Sequence, residues 1–300
     1  MIQTPHIDSF AISTILVLLS SSGLALLSAV LVPPAWRRPF ATTVAGLGSL
    51  GGIVTSVWLY VDSASGHTVI AGAFYRDRWT ALAQVILCAT TLAAVLVGSE
   101  QIREHEAEFF ALLLASAAGM TFFVGAANLM TMFLSLEWFS IALYILCAIE
   151  YDREGSLEAG LKYLIIGSFG SAALLFGSAL VYGATNRIGF AEIAQAVGAH
   201  GLSGDALLVL GLAMIIAGLA FKSSSAPFHM WTPDVYEGAP TPVTAFFAAA
   251  PKVAGMAMFV RATIVAFPGI THQWQQIVVF VAIASMALGS FAAIGQTNIK

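Results

Sequence analysis

Long apolar runs separated by short polar connections divide the chain. The runs fall at about 10–32, 42–61, 79–98, 108–127, 129–149, 161–183, 205–224, 241–267 and 276–295. An α-helix needs about 20 apolar residues to cross a bilayer core, so each run is long enough to span. The connections hold most of the charge: Arg37 and Arg38; Arg76, Asp77 and Arg78; Glu100 to Glu108; Glu150 to Glu158. The longest polar connection, Asn186 to Asp205, predicts a short helix lying at the membrane interface. The pattern as a whole predicts an all-α, polytopic transmembrane helix bundle. It forms a single integral membrane domain over residues 1–300, with about nine transmembrane helices and a broken helix near residues 205–236.

Composition sharpens this into an exclusion. Of 300 residues, 59% are hydrophobic and only 9% charged, where a soluble domain carries about 25%. A soluble enzyme, a disordered chain and a disulfide-stapled module are excluded. The net charge of −4 offers no basic surface, so nucleic acid is not an expected partner. The partner implied by composition is the lipid bilayer. Cys88 and Cys147 lie inside apolar runs, form no metal spacing, and read as small core hydrophobes. The first run has no Lys or Arg before it and is too long for a signal-peptide core, so an uncleaved first helix is expected. Alternating the connections puts Arg37, Arg38, Arg103, Arg153 and Lys162 on one side, against Arg76, Arg78, Arg187 and Arg261 on the other. That small bias favours an outward N-terminus.

Two motifs carry less than they suggest. Gly46-Leu-Gly48-Ser-Leu-Gly51 fits a dinucleotide-binding pattern but lies within an apolar run with no strand before it. Gly48 and Gly52 are better read as close-packing positions between membrane helices. Glu104, His105, Glu106 and Glu108 look like metal ligands, yet one histidine among adjacent carboxylates is more simply a solvated acidic face. No haem or iron–sulfur ligation fits the histidines and the two isolated cysteines.

The informative residues are charges inside apolar runs. A charge near the bilayer centre costs about 2.5–3.5 kcal/mol on insertion scales. Glu137, in LMTMFLSLEWFSIALYILCAI, is too short to reach the interface. It is either a protonated structural carboxyl or a proton- or ion-handling group. Lys252, beside Pro251 in PVTAFFAAAPKVAGMAMFVRA, reads as a proton relay or as half of a structural ion pair. Pro251 frees a backbone carbonyl, which water could meet. Lys222 ends the run DALLVLGLAMIIAGLAFK, where a lysine ordinarily snorkels to the interface. The next segment, with Ser223, Ser224, Ser225 and Pro227, should end the helix and expose carbonyls near Lys222. Broken backbone at membrane depth is tolerated only inside protein or beside a wet cavity. His229, a turn beyond, is either part of such a pathway or a hydrogen-bonded packing residue. Lys162, after a charged loop, reads as an interfacial anchor.

The stretch AFKSSSAPFHMWTPDVYEGAPTPVTAFFAAAPKVAGMAMFVRA resembles the signature region of the antiporter-like subunits of respiratory complex I. VYEGAP, the lysine after AAAP and the terminal GQTNIK, which ends in Lys300, are most similar to subunit N of bacterial NADH–quinone oxidoreductase. The resemblance implies a translocase subunit in the multi-pass bacterial inner membrane, among other membrane subunits of complex I. It would conduct protons through Glu137, Lys222 and Lys252, with His229, Ser223, Ser224, Pro227 and Lys300 in support. It implies no cofactor in this chain; NADH, FMN, Fe–S clusters and a quinone would belong to other subunits. The family continues for several more helices, so the chain is expected to be a fragment or a truncated form. Two alternatives stand beside this one: a subunit of a multi-subunit cation/proton antiporter, and a purely structural membrane subunit.

Overall fold

A computed structural model describes residues 7–298. Eleven α-helices run in chain order: α1 Ser13–Leu31, α2 Pro34–Asp62, α3 Arg78–Gln101, α4 Glu106–Phe123, α5 Leu129–Cys147, α6 Glu154–Thr185, α7 Phe190–His200, α8 Ala206–Lys222, α9 Thr232–Gly238, α10 Thr241–Arg261 and α11 Thr271–Gly295. Among the described residues, eight helices are long and apolar enough to cross a membrane. The chain is an all-α polytopic bundle. α8 is shorter, and it occupies, together with α9 beyond a break, the place of the remaining expected span. A short helix does lie in the connection from residue 186 to 205: α7, which buries Phe190, Ile193, Ala196 and Val197.

The helix boundaries follow from local chemistry. Asp77, Asn128 and Asp205 each accept a bond from a backbone N–H in the first turn, capping α3, α5 and α8. At the other ends, arginines serve orphan carbonyls: Arg37 Nε donates to Val32 at the end of α1, 2.9 Å away, and Arg38 donates to Ser99 in the last turn of α3. α2 therefore begins about two turns earlier than the apolar run, at Pro34, because Pro is suited to the first helical position and the two arginines work from within the helix.

One element was not foreseen. His67–Val69 and Phe74–Arg76 pair antiparallel as a small hairpin between α2 and α3. Its turn uses positive φ at Ile70, Ala71 and Gly72. Phe74 is buried and stacks on Phe122, and the hairpin backbone bonds to Gly125 and Ala127 after α4. Nearby, Arg261 at the end of α10 forms a paired bond to Asp77 (2.8 and 2.9 Å) and a third to Thr80. That clamp ties α10 to the start of α3. Arg76 is bound likewise by Asp8 and Asp62. Burial would raise the Asp77 carboxyl, but the Arg261 guanidinium and the Thr80 donors outweigh it and hold it below the usual carboxylate range.

α6 is the spine on which the broken helix lies, antiparallel along its length. Gly177 faces Gly211, Gly170 faces Gly218 and Phe221, Lys162 meets Asp234, and Gly155 meets Gly238. A β-carbon on Gly177 would stand 2.6 Å from the carbonyl oxygen of Gly211, so bare backbone allows the approach. Gly48 plays the expected packing part: a β-carbon there would stand 2.5 Å from Ser21 of α1. Cys88 and Cys147 are free and fully buried, as small apolar residues would be.

Two outcomes are expected. Gly177→Ala forces α6 and α8 apart and costs about 1–3 kcal/mol, read as a lower thermal midpoint in detergent. Asp77→Asn removes a carboxylate whose native affinity for protons is depressed. The stability advantage of the wild type over this variant is therefore full at neutral pH. It starts to fall below about pH 4 and vanishes below the native value; melting both proteins across pH checks it.

Candidate functional site

The break after α8 is built by its own residues. Ser223 ends the helix, Ser224 turns back with φ of 57°, and Pro227 has no N–H to continue. The sequence suggested that this break leaves carbonyls exposed. Instead, Ser223 Oγ donates to Leu219 and Ala220 at 3.0 and 3.2 Å. Trp231 Nε1 donates to Phe221 at 3.2 Å, and the backbone of Ser225 to Ala220. At membrane depth there is no water to accept such bonds, so the protein supplies its own. One acceptor comes from elsewhere: Ser285 Oγ of α11 receives the Ala226 N–H at 2.9 Å.

Lys222 closes α8 and points inward rather than snorkelling; it is 1% exposed. Its Nζ donates to Tyr163 Oη at 3.3 Å. It also lies over the rings of Phe139, Tyr163 and Tyr144, at 5.2, 5.2 and 5.7 Å. Among the described residues, no carboxylate is in ion-pair contact with it. Glu137, on α5, is within electrostatic reach of Lys222, Tyr144 and Tyr163, and its Oε1 is buried without a hydrogen-bond partner. α5, α6 and α8 thus carry Glu137 and Lys222 into one buried neighbourhood: Lys222 bonds Tyr163 of α6 and lies over Phe139 of α5, two residues beyond Glu137.

Lys252 stands apart, on α10. Pro251 supplies no N–H to Phe247 O, and the sequence suggested water would meet that carbonyl. Tyr236 Oη meets it instead, at 3.1 Å, with Lys252 Nζ at 3.5 Å. Lys252 also donates to Tyr236 Oη and lies over its ring. An aromatic ladder joins the two lysine sites: Tyr163 stacks on Trp231 with centroids 4.7 Å apart, and Trp231 meets Tyr236 edge-on at 6.2 Å. These aromatic residues were not singled out from sequence. Trp231 and Tyr236 did lie within the helix-breaking segment that the sequence marks, whereas Tyr163 carried no such signal.

The remaining expected residues are placed as follows. His229 is partly buried, and its Nδ1 has no hydrogen-bond partner among the described residues. Ser224 Oγ is buried and unpartnered, and Pro227 is exposed at the break. Lys300 lies outside the described residues. Lys162 is more than an interfacial anchor: it bridges Glu158 and Asp234, both at 2.7 Å, and pins α9 to α6. His105 opens α4 and tilts against Tyr151. Among the described residues, no group of three or more His, Cys, Asp or Glu is placed to hold a metal.

Residues 126–300 match the family described as NADH:quinone oxidoreductase/Mrp antiporter, TM. Subunit N 1 of NADH-quinone oxidoreductase from Rhizobium meliloti (strain 1021) is 48% identical over 261 residues, which cover 86% of this chain and 54% of that protein. Subunit N from Parvibaculum lavamentivorans is 41% identical over 276 residues, covering 91% and 57%. The chain thus spans about half the length of these relatives. Among solved structures, a chain of respiratory complex I from Thermus thermophilus superposes with a TM-score of 0.73 at 29% identity, over 94% of this chain and 58% of that one. A chain of the Mrp complex from Dietzia sp. gives 0.75 at 24% identity, over 97% and 55%, a likeness of fold.

Lys222 is buried, and among the described residues no ion pair offsets its desolvation. Replacing it with an apolar side chain of similar length is therefore expected to leave stability unchanged or raise it. Lys222→Met should melt no lower than the wild type in detergent. A marked fall would mean that the ammonium holds the bundle together.

Proposed function

Because the chain belongs to the NADH:quinone oxidoreductase/Mrp antiporter transmembrane family, we propose that it is a proton-conducting membrane subunit of a bacterial NADH–quinone oxidoreductase. It works as a single domain among other membrane subunits, in the inner membrane and with its N-terminus outward. The named relatives at 41–48% identity support this over the antiporter alternative, because the Mrp likeness is one of fold. NADH, FMN, Fe–S clusters and a quinone would belong to other subunits.

One observation carries the proposal: a fully buried lysine, free of ion-pair contact among the described residues, within electrostatic reach of a buried carboxyl. Such a lysine is poised between two protonation states. The Glu137 carboxylate favours a proton on Lys222, and neutralising or moving Glu137 favours its release. Lys252 is the next station, beyond the aromatic ladder, with Tyr236 receiving its hydrogen bond. Ser223 and Ser224 hold the turn that fixes Lys222, while His229 and Pro227 shape the same break. Redox energy released elsewhere in the complex would move the Glu137 charge and drive the cycle.

The test uses the full-length protein in inverted membrane vesicles. Glu137→Gln and Lys222→Ala should assemble normally while NADH-driven proton uptake falls at least tenfold, since a positioned proton-transfer group contributes about 10²–10⁴. Assembled complexes that pump at the wild-type rate would overturn the proposal and leave these charges a structural role.

A further inference from the structure

Glu137 and Lys222 are close enough to interact but are not in contact, so a proton passing between them needs an intermediate. Three buried oxygens without hydrogen-bond partners lie in this region: Glu137 Oε1, Tyr144 Oη and Ser171 Oγ. Tyr144 and Ser171 are only 7% and 6% exposed. Leaving a buried hydroxyl unsatisfied is costly, and native proteins do so rarely, often where function requires it.

Their placement follows from helical spacing. Glu137, Ser140 and Tyr144 recur at three and four residues, so they share one face of α5. Tyr163, Gly167 and Ser171 recur every four residues and share one face of α6. The two faces meet: the Tyr144 and Tyr163 rings pack edge-on, 4.8 Å apart. A β-carbon on Gly167 would stand 2.5 Å from Tyr144 Oη. The phenol thus occupies a niche that exists because residue 167 has no side chain, one turn from Ser171. Lys222 Nζ lies over the Tyr144 ring and bonds to Tyr163. Tyr144 thus has its ring under Lys222 and shares a face of α5 with Glu137, two turns away.

We propose that Tyr144 is the hydroxyl relay between Glu137 and Lys222, with Ser171 the positioning residue that orients its phenol. This inference rests on the proton-conducting reading above. The Glu137 carboxylic acid gives its proton, through an intervening water, to a lone pair of Tyr144 Oη. The phenol releases its own proton, through water and Tyr163, to the neutral amine of Lys222. One O–H bond forms on the phenol as another breaks. Glu137 ends as carboxylate and Lys222 as ammonium, and the phenol returns to its starting state by rotating its O–H. Neither hydroxyl holds a hydrogen bond of ordinary length among the described residues, yet the two lie within reach of each other, which is what such a relay needs.

The experiment replaces Tyr144 with Phe in the full-length protein and follows NADH oxidation and proton uptake in inverted vesicles, in H2O and D2O. The ring packing is preserved, so assembly should be normal. Proton uptake should fall at least about tenfold, with a larger solvent isotope effect than the wild type. Ser171→Ala should produce a smaller fall, and the double variant should be no worse than Tyr144→Phe. Gly167→Ala, which displaces the phenol while keeping its hydroxyl, should mimic Tyr144→Phe. Wild-type pumping by Tyr144→Phe, alongside lost pumping in Glu137→Gln, would overturn the relay and leave the proton-conducting reading intact. Wild-type pumping by Glu137→Gln as well would overturn both.

Discussion

In a bilayer, every polar group that leaves water must find its partner within the protein, and the organisation of this chain follows from that constraint. Helix ends show it first. Asp77, Asn128 and Asp205 cap N-termini, while Arg37 and Arg38 reach carbonyls at the ends of α1 and α3. The same rule governs the two places where a helix is damaged. The break after Lys222 is repaired by Ser223 and Trp231, and the carbonyl freed by Pro251 is taken by Tyr236 and Lys252. Lys222 and Glu137, like the Tyr144 and Ser171 hydroxyls, obey the rule only in part. An ammonium over aromatic faces and a carboxyl oxygen without a donor are tolerable only in a rigid surround.

That rigidity comes from small residues. Glycines let α6 and α8 approach until backbone meets backbone, and the buried rings of Tyr163, Trp231 and Phe247 fill the space below. Close approach strengthens dispersion contacts, which do the work that the hydrophobic effect cannot do between helices in lipid. At one end of α10, the Arg261–Asp77 clamp fixes the helix that carries Lys252 against α3. The two lysines are thus held on elements secured separately, one by α6 and one by α3.

Much of this was legible in the sequence. Apolar runs located the membrane helices, because a length of about 20 residues is a demand of the bilayer itself. Glu137, Lys222 and Lys252 stood out because charge in an apolar run is costly. The position of the break was legible from its serines and Pro227. What the sequence concealed was who meets whom. Lys162 looked like an anchor because its partner Asp234 lies 72 residues away. Tyr144 and Tyr163 looked like ordinary span residues, since a tyrosine is amphipathic and its role depends on which helix faces it. The hairpin between α2 and α3 was hidden because its strands are three residues each and draw their order from Gly125 and Ala127.

The repairs around the broken helix are unusually local. Every carbonyl that Ser223 or Trp231 serves lies within ten residues of its donor, and only the Ala226 N–H calls on a distant helix, through Ser285. A defect that carries its own remedy along the chain is a heritable unit. It can be duplicated or transplanted into another bundle with little demand on the new neighbours. Selection can then adjust the surroundings of the lysine without having to reinvent the turn that holds it.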